Sequence, residues 1–257
     1  MRSVSIGGID INNISFDQCI DAIEAAIGRR QPVYVVTPNV DHIVKLQKDR
    51  EFQAIYRKAF LSVPDGVPLL WASRFLGTPL KERVNGTDLM TSLCARSAIN
   101  GHRLFFLGGR PGATEKAKKK LESLYPGIAI SGCYAPSLGF ETNAIENAKI
   151  LSMIQKAKPD ILFVGLGAPK QEKWIFRWHH RTGVPVCIGV GASFEFLSGL
   201  LTRAPVWMQN HGLEWLWRLF SEPGRLWKRY LIDDLQFFLL VVRQKMTRNR
   251  DSVLSEK

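Results

Sequence analysis

Two apolar runs stop on polar residues that can do chemistry. Val33-Tyr34-Val35-Val36 runs into Thr37-Pro38-Asn39-Val40-Asp41-His42, and Leu61-Ser62-Val63 runs into Pro64-Asp65-Gly66-Val67-Pro68. A helix-like segment follows each run. In an open α/β sheet, ligands bind at the carboxyl ends of the strands, so Thr37, Asn39 and Asp65 are expected to share one crevice. A carboxylate held beside Asn and Thr donors suits deprotonation of a hydroxyl. The same residue types also cap helices. On these segments alone, base and cap are equal readings of Asp65, with Thr37 as its catalytic neighbour or as a cap.

Three further strand ends are rich in glycine: Gly108-Gly109-Arg110-Pro111-Gly112, Gly165-Leu166-Gly167 and Gly189-Val190-Gly191. Glycine lets a ligand approach the backbone, and a helix N-terminus offers free N–H groups to a phosphate. A tight strand-to-helix turn explains the first of them equally well. Together the three favour a nucleotide or phosphate cleft. Lys170 and Gln171, in the first turn of the helix after Pro169, can point into it. Glu195 can accept a hydrogen bond from a base or ribose, or serve a helix N-terminus. In Arg83-Val84-Asn85-Gly86-Thr87-Asp88, Arg83 is a phosphate ligand candidate, and Thr87 and Asp88 are expected to cap the next helix.

The elements that must position these groups alternate between short apolar strands and helical patterns, which predicts a parallel α/β sheet. Ser15-x-x-Gln18 is a capping box opening a helix to about Ile27. Strands are expected at Val33–Thr37, Leu61–Val63, Arg103–Leu107, Ile128–Tyr134, Asp160–Gly165 and Pro185–Val190. Helical segments are expected across Val40–Lys58, from Asp65 through Phe75, in the Lys-rich stretch after Gly112, and across Asn143–Ala157. The 1–200 segment is thus an α/β core. Residues 201–257 are a helical appendage, basic and aromatic, with Trp207, Trp215, Trp217 and Trp227 among its arginines and Pro223-Gly224 between two helical stretches.

Bulk properties narrow the function. The 257 residues carry a formal charge of +12 and are 46% hydrophobic, so a real core meets an anionic partner. The four cysteines are scattered without a C-x-x-C pair; Cys133 and Cys187 read as buried thiols in a reducing compartment. The histidines show no metal spacing, and no Asp-x-Asp pair ends a strand. Hence no metal and no cofactor is expected, and basic groups and helix N-termini must stabilise any expelled diphosphate. No secretory signal or membrane-spanning run stands out, so the protein is expected in the cytoplasm, where the Arg/Trp tail can lie on anionic lipid. The same tail suits single-stranded nucleic acid, which gives a second reading: a basic nucleic-acid-binding α/β protein. It also suits an ordinary amphipathic helix packed on the core. A nicotinamide dehydrogenase lacks its G-x-G-x-x-G fingerprint.

An ordered set of segments resembles the WecG/TagA/CpsF bacterial glycosyltransferases over nearly the whole chain. The set is Thr37-Pro38-Asn39-Val40-Asp41, Pro64-Asp65-Gly66, Arg83-Val84-x-Gly86-x-Asp88, Phe106-Leu107-Gly108-Gly109, Gly165-Leu166-Gly167-x-Pro169-Lys170-Gln171-Glu172, Gly189-Val190-Gly191, Arg203-Ala204-Pro205 and the Arg218 to Leu231 segment. The resemblance implies a Rossmann-like core distinct from the two common glycosyltransferase folds. It implies an inverting transfer of a hexose from a UDP-sugar: UDP-N-acetylmannosamine, its uronic acid or UDP-glucose; the missing Asp-x-Asp pair makes that transfer metal-independent by expectation. The acceptor would be a polyprenyl-diphosphate-linked saccharide at the inner face of the bacterial plasma membrane, in cell-surface polysaccharide synthesis. On this chain it implies Asp65 as the base, Thr37 and Asn39 as sugar contacts and Gln171 as a donor contact. Glu195 would lie near the uracil, where relatives often carry Asp. Arg218, Arg225 and Lys228 would close over the leaving diphosphate. Nucleic acid is then not a partner, and a homo-oligomer stays open.

Overall fold

The computed structural model describes residues 2–255. It opens on a hairpin of β1 (Ser3–Ile6) and β2 (Ile9–Asn12), which the sequence reading did not assign. Val4, Ile6, Ile9 and Ile11 are buried on one face while Asp10 points to solvent. The turn residues Gly7 and Gly8 have φ of 58° and 88°, the left-handed pair a two-residue hairpin needs.

Six parallel strands follow: β3 (Val33–Val36), β4 (Leu61–Ser62), β5 (Arg103–Gly108), β6 (Ala129–Tyr134), β7 (Ile161–Gly165) and β8 (Val186–Gly189). Their order is β4-β3-β8-β7-β5-β6. Both faces are covered, so the inner strands β3, β8, β7 and β5 read as nearly continuous apolar runs, while the edge strand β6 carries Ser131 and Gly132. Tyr34, Val36, Phe105 and Leu107 pack into one core layer, and Val35, Leu104 and Phe106 into the other. The chain leaves β3 toward β4 on one side, whereas β8 is reached from β7 on the other. The loops after β3 and β8 therefore diverge, and a crevice opens between them.

Ser15 caps the helix Phe16–Arg29 with the reciprocal Gln18 bond that the capping box predicts. The helical stretch across Val40–Lys58 is two helices, Val40–Leu46 and Arg50–Lys58. Pro223 opens the helix Pro223–Lys228, so the break after Glu214–Ser221 falls at Glu222, just before the expected Pro-Gly. A π turn, Arg229–Asp233, leads into the helix Leu235–Ser255. Phe237 and Val241, one turn apart, are buried in the same layer as the hairpin. Gln244 accepts from the Gly7 amide (2.9 Å) and donates to the Ser5 carbonyl (2.8 Å). The segment after residue 200 thus packs on the core while leaving Leu235, Phe238, Leu239 and Val242 exposed. No helix among the described residues is long and apolar enough to cross a membrane. All four cysteines are free thiols; Cys187 is buried as expected, but Cys133 is only half-buried, because it lies on the edge strand β6.

Candidate functional site

The carboxyl ends of β3, β4, β7 and β8 and the segment from Gln209 to Phe238 enclose a cleft of about 760 Å³. That volume is in the range of small-molecule sites. Thr37, Asn39, Asp65, Arg83, Gly167, Gln171, Gly191, Arg218 and Arg225 all line it.

Asp65 is held at both ends. Its backbone N–H donates to the Pro38 carbonyl (2.8 Å), and its Oδ1 accepts from Asn85 Nδ2 (2.8 Å). It is not a cap: the helix Val67–Phe75 starts from Gly66, with no side chain bonded to its first turn. Burial, and then the Glu214 carboxylate, push Asp65 up from 3.8 to about 7; Arg83, the Asn85 bond and Arg218 pull the other way. A carboxylate poised near neutrality is suited to general-base work. Thr37 does not cap either. Its hydroxyl donates to the Gly189 carbonyl (3.3 Å), tying the end of β3 to that of β8. Asn39 does cap, accepting from the His42 amide (3.3 Å).

The Arg83 to Asp88 knot differs from expectation. Asn85 is the cap of the helix Gly86–Asn100, accepting from the Thr87 and Asp88 amides (2.9 and 3.3 Å). Thr87 instead shares a hydrogen bond with Ser193 (2.9 Å). Asp88 takes a two-pronged bond from Arg203, one prong at 2.9 Å, and lies 3.8 Å from Arg83. Asp88 is unavailable as a cap because it neutralises these two guanidinium groups. Arg83 also lies 3.6 Å from Glu214, so this cation joins the core to the C-terminal segment.

Gln171, only 2% exposed, ties the first turn of the helix Lys170–Thr182 to the loop after β8. Its Oε1 accepts from the Gly191 amide (3.0 Å), and its Nε2 donates to Glu172 (2.7 Å). Glu172 is fully buried, which raises its carboxyl from 4.5 to about 7. Lys170, one residue earlier, turns outward to Glu141 (2.6 Å) and does not line the cleft. Gly108 and Gly109 do not line it either. A Cβ on Gly108 would stand 2.4 Å from the Gly165 carbonyl oxygen, and the Gly109 amide donates to that oxygen (2.7 Å). These glycines serve the tight turn and close strand packing. Glu195 is buried outside the lining, where its Oε1 accepts from the Arg110 amide (2.8 Å) while Oε2 has no partner.

Arg218 reaches the cleft with its guanidinium 5.8 Å from the Phe196 ring centre. Arg225 is clamped by Glu222, which also accepts from Arg110 (2.6 Å). Lys228 is exposed and faces away from the cleft; the next residue, Arg229, lines it. Arg229 stands 3.6 Å from Asp41 and 3.8 Å from Asp234, and Asp41 also takes a 2.7 Å bond from Lys45. Burial would raise the Asp41 carboxyl, but Arg229 and Lys45 outweigh it and hold it below the usual value. The sequence reading missed Arg229, Asp41, Lys45, Asp234, Asn85 and Glu214 as cleft residues. The Asp41–Lys45 spacing of four was the one available signal for that pair.

Apolar residues continue the cleft outward. Pro68, Trp71 and Phe238 line both the cleft and a second groove that includes Phe75 and Val242. Among the described residues, no group of three His, Cys, Asp or Glu side chains is placed to hold a metal ion.

The model of the Glycosyl transferase WecG/TagA/CpsF family matches residues 4–251. A protein of Bacillus subtilis (strain 168) is 32% identical over 232 residues, covering 90% of this chain and 88% of its own. One of Bacillus spizizenii (strain ATCC 23059 / NRRL B-14472 / W23) is 29% identical over 232 residues, with the same coverage of 90% and 88%. One of Staphylococcus aureus (strain MW2) is 29% identical over 228 residues, covering 88% and 86%. Each is named an N-acetylglucosaminyldiphosphoundecaprenol N-acetyl-beta-D-mannosaminyltransferase.

Proposed function

The chain belongs to the glycosyl transferase WecG/TagA/CpsF family, and from that premise we propose that it moves N-acetylmannosamine from UDP-N-acetylmannosamine onto N-acetylglucosaminyldiphosphoundecaprenol. The choice of hexose and acceptor follows the names of the three relatives. The observation that carries the reading is Asp65, a carboxylate at a strand end, bonded by Asn85 and raised to about 7 inside a cleft rimmed by arginines.

The reaction is a single in-line displacement. Asp65 takes the proton of the acceptor hydroxyl, and the freed oxygen bonds to the anomeric carbon. The bond from that carbon to the diphosphate breaks, and UDP leaves. One base suffices, and the α linkage of the nucleotide sugar becomes the β linkage in the relatives' name. Thr37 and Asn39 stand beside the base to orient sugars. Gln171 and Gly191 shape the donor side. Arg218 and Arg225 face the charge that grows on the leaving group, where fixed cations act most strongly. On this reading the arginines do that task without a metal. Arg218, Arg225 and Arg229 face the cleft, which favours a phosphorylated substrate over a nucleic-acid strand. The apolar groove running out past Trp71 and Phe238 suits a lipid-linked acceptor presented from a membrane surface.

The test is incubation with UDP-N-acetylmannosamine and a short-chain N-acetylglucosaminyl-diphosphopolyprenol, read by mass spectrometry and by the anomeric coupling of the product. UDP-glucose and UDP-N-acetylmannosaminuronic acid are the competing donors. A single added N-acetylhexosamine in β linkage is expected from the first donor. Preference for another donor overturns the choice of sugar, and an α-linked product overturns inversion.

A further inference from the structure

We propose that Asn85 is a positioning residue that decides which oxygen of Asp65 receives the acceptor's proton. The inference rests on Asp65 being the base. Asn85 lines the cleft on the loop after Val84, and its backbone is extended (φ −75°, ψ 136°), as a helix cap requires. Its side chain cannot turn over. Oδ1 accepts from three donors: the Thr87 amide (2.9 Å), the Asp88 amide (3.3 Å) and Arg203 Nη2 (3.2 Å). A reversed amide would set its NH2 group against all three and its oxygen against the Asp65 carboxylate. The network therefore fixes the orientation, and Nδ2, a donor only, faces Asp65 Oδ1 at 2.8 Å.

A donor-only neighbour tolerates a lone pair on Oδ1 but not a proton. When the acceptor's O–H bond breaks, the proton goes to Oδ2, and the freed oxygen attacks the anomeric carbon. The Asn85 bond also favours the charged form of Asp65, against burial and Glu214. Asn85 thus does two things through one atom: it aims the reactive oxygen and keeps the base from rising further. The cap network that locks the amide is anchored by Arg203, whose Nη1 and Nη2 also hold the Asp88 carboxylate. A helix cap and an active-site orienter are the same side chain.

The test separates capping from orienting. Asn85→Ser and Asn85→Asp both keep an oxygen able to cap, as good as Asn itself. Ser is too short to cap and also reach Asp65, and Asp presents a carboxylate in place of the donor. Asn85→Ser should melt close to the wild type, whereas Asn85→Asp, which sets a second carboxylate against Asp65, should melt lower at pH 8 and is compared at a temperature where it stays folded. With UDP-N-acetylmannosamine and the short-chain acceptor, kcat should fall roughly 10–100-fold, as for a misaimed reacting group, with KM for the donor little changed. The acid limb of kcat/KM against pH should move upward, by about one pH unit or more, and further for Asn85→Asp. Folded variants whose acid limb stays at the wild-type pH would overturn the inference. Asp65→Asn, run alongside, distinguishes the two levels. If it turns over normally, the base assignment falls and this inference with it. If it is inactive while the Asn85 variants keep the wild-type profile, only the role of Asn85 falls.

Discussion

Asp65→Asn should remove activity and raise stability at the same time. Asp65 titrates at about 7 in the folded protein against an ordinary 3.8. The folded value lies above the unfolded one, so the native state binds the proton more tightly. Stability therefore falls as pH rises from about 4 to about 7, and the full cost of the buried charge is present above about 7. At 1.36 kcal/mol per pH unit the ceiling is about 4 kcal/mol. The side chain opens on the cleft, so water screening brings the figure to about 1–2 kcal/mol. Asn has the same shape, carries no charge and still accepts from Asn85. At about 2–4 °C per kcal/mol for a chain of this size, the variant should melt about 2–8 °C above the wild type at pH 8. The gap should close toward pH 4, where both side chains are neutral. Transferase activity should meanwhile drop roughly 10²–10⁴-fold, the usual loss for a missing general base. Scanning fluorimetry at pH 4.5 and 8, beside a turnover assay at pH 8, reads both effects. Equal melting at pH 8, or a gap that does not change with pH, would show that Asp65 carries no buried-charge cost. Near wild-type turnover would reject it as the base.

Arg218→Ala and Arg225→Ala should each lower kcat by roughly 10²-fold while leaving binding to anionic vesicles nearly unchanged, because each is one charge among many for docking but, in the proposed mechanism, one of few cations against the leaving group; equal losses in both assays would remove them from the proposed active site. Activity should persist in excess EDTA, and full loss restored by Mg²⁺ or Mn²⁺ would refute the metal-free mechanism. Phe238→Ser with Val242→Ser should weaken sedimentation with phosphatidylglycerol vesicles, and salt should weaken the intact protein's binding; unchanged sedimentation would move the docking face elsewhere.

The strands flanking the cleft were legible because a parallel sheet buried on both faces demands unbroken β-branched and aromatic runs, and such runs end where the chemistry begins. The first hairpin was passed over because its strands are four residues long and half polar, although Val4-Ser5-Ile6, Gly7-Gly8 and Ile9-Asp10-Ile11 spell alternation around a turn. The glycine-rich ends show a different limit. Gly108 and Gly191 look alike in sequence, yet one is required by the neighbouring strand and the other lines the cleft. Only the neighbours distinguish close packing from ligand access. Lys170 and Gln171 are adjacent, but successive helical residues point about 100° apart, so one faces solvent and the other the strand ends. Lys228 and Arg229 differ for a related reason. The resemblance alone names Lys228, but adjacent helical residues point about 100° apart, and it is Arg229 that lines the cleft. Thr87 and Asp88 carry cap chemistry, but Asn85 precedes them and takes the post, while the nearby Arg83 and the remote Arg203 claim Asp88.

The Gln244 clasp has a consequence for how the chain is made. Ser5 and Gly7 leave the ribosome well before their partner Gln244, which follows 237 or more positions later. The hairpin must wait, with Ile6 and Ile9 lacking part of their cover, until the helix Leu235–Ser255 emerges to bring Phe237 and Val241. The arginines over the cleft precede that helix in the chain, and the helix fastens down the segment that carries them. Closure of the cleft is therefore coupled to emergence of the helix Leu235–Ser255, and a nascent chain halted near residue 230 should hold Asp65 with the arginine segment unfastened. For the same reason, cutting the chain at residue 200 would not yield a clean core. It would strip Met208, Leu226, Phe237 and Val241 from their buried places, so surface substitutions rather than deletions are the fair way to ask what the tail does at a membrane.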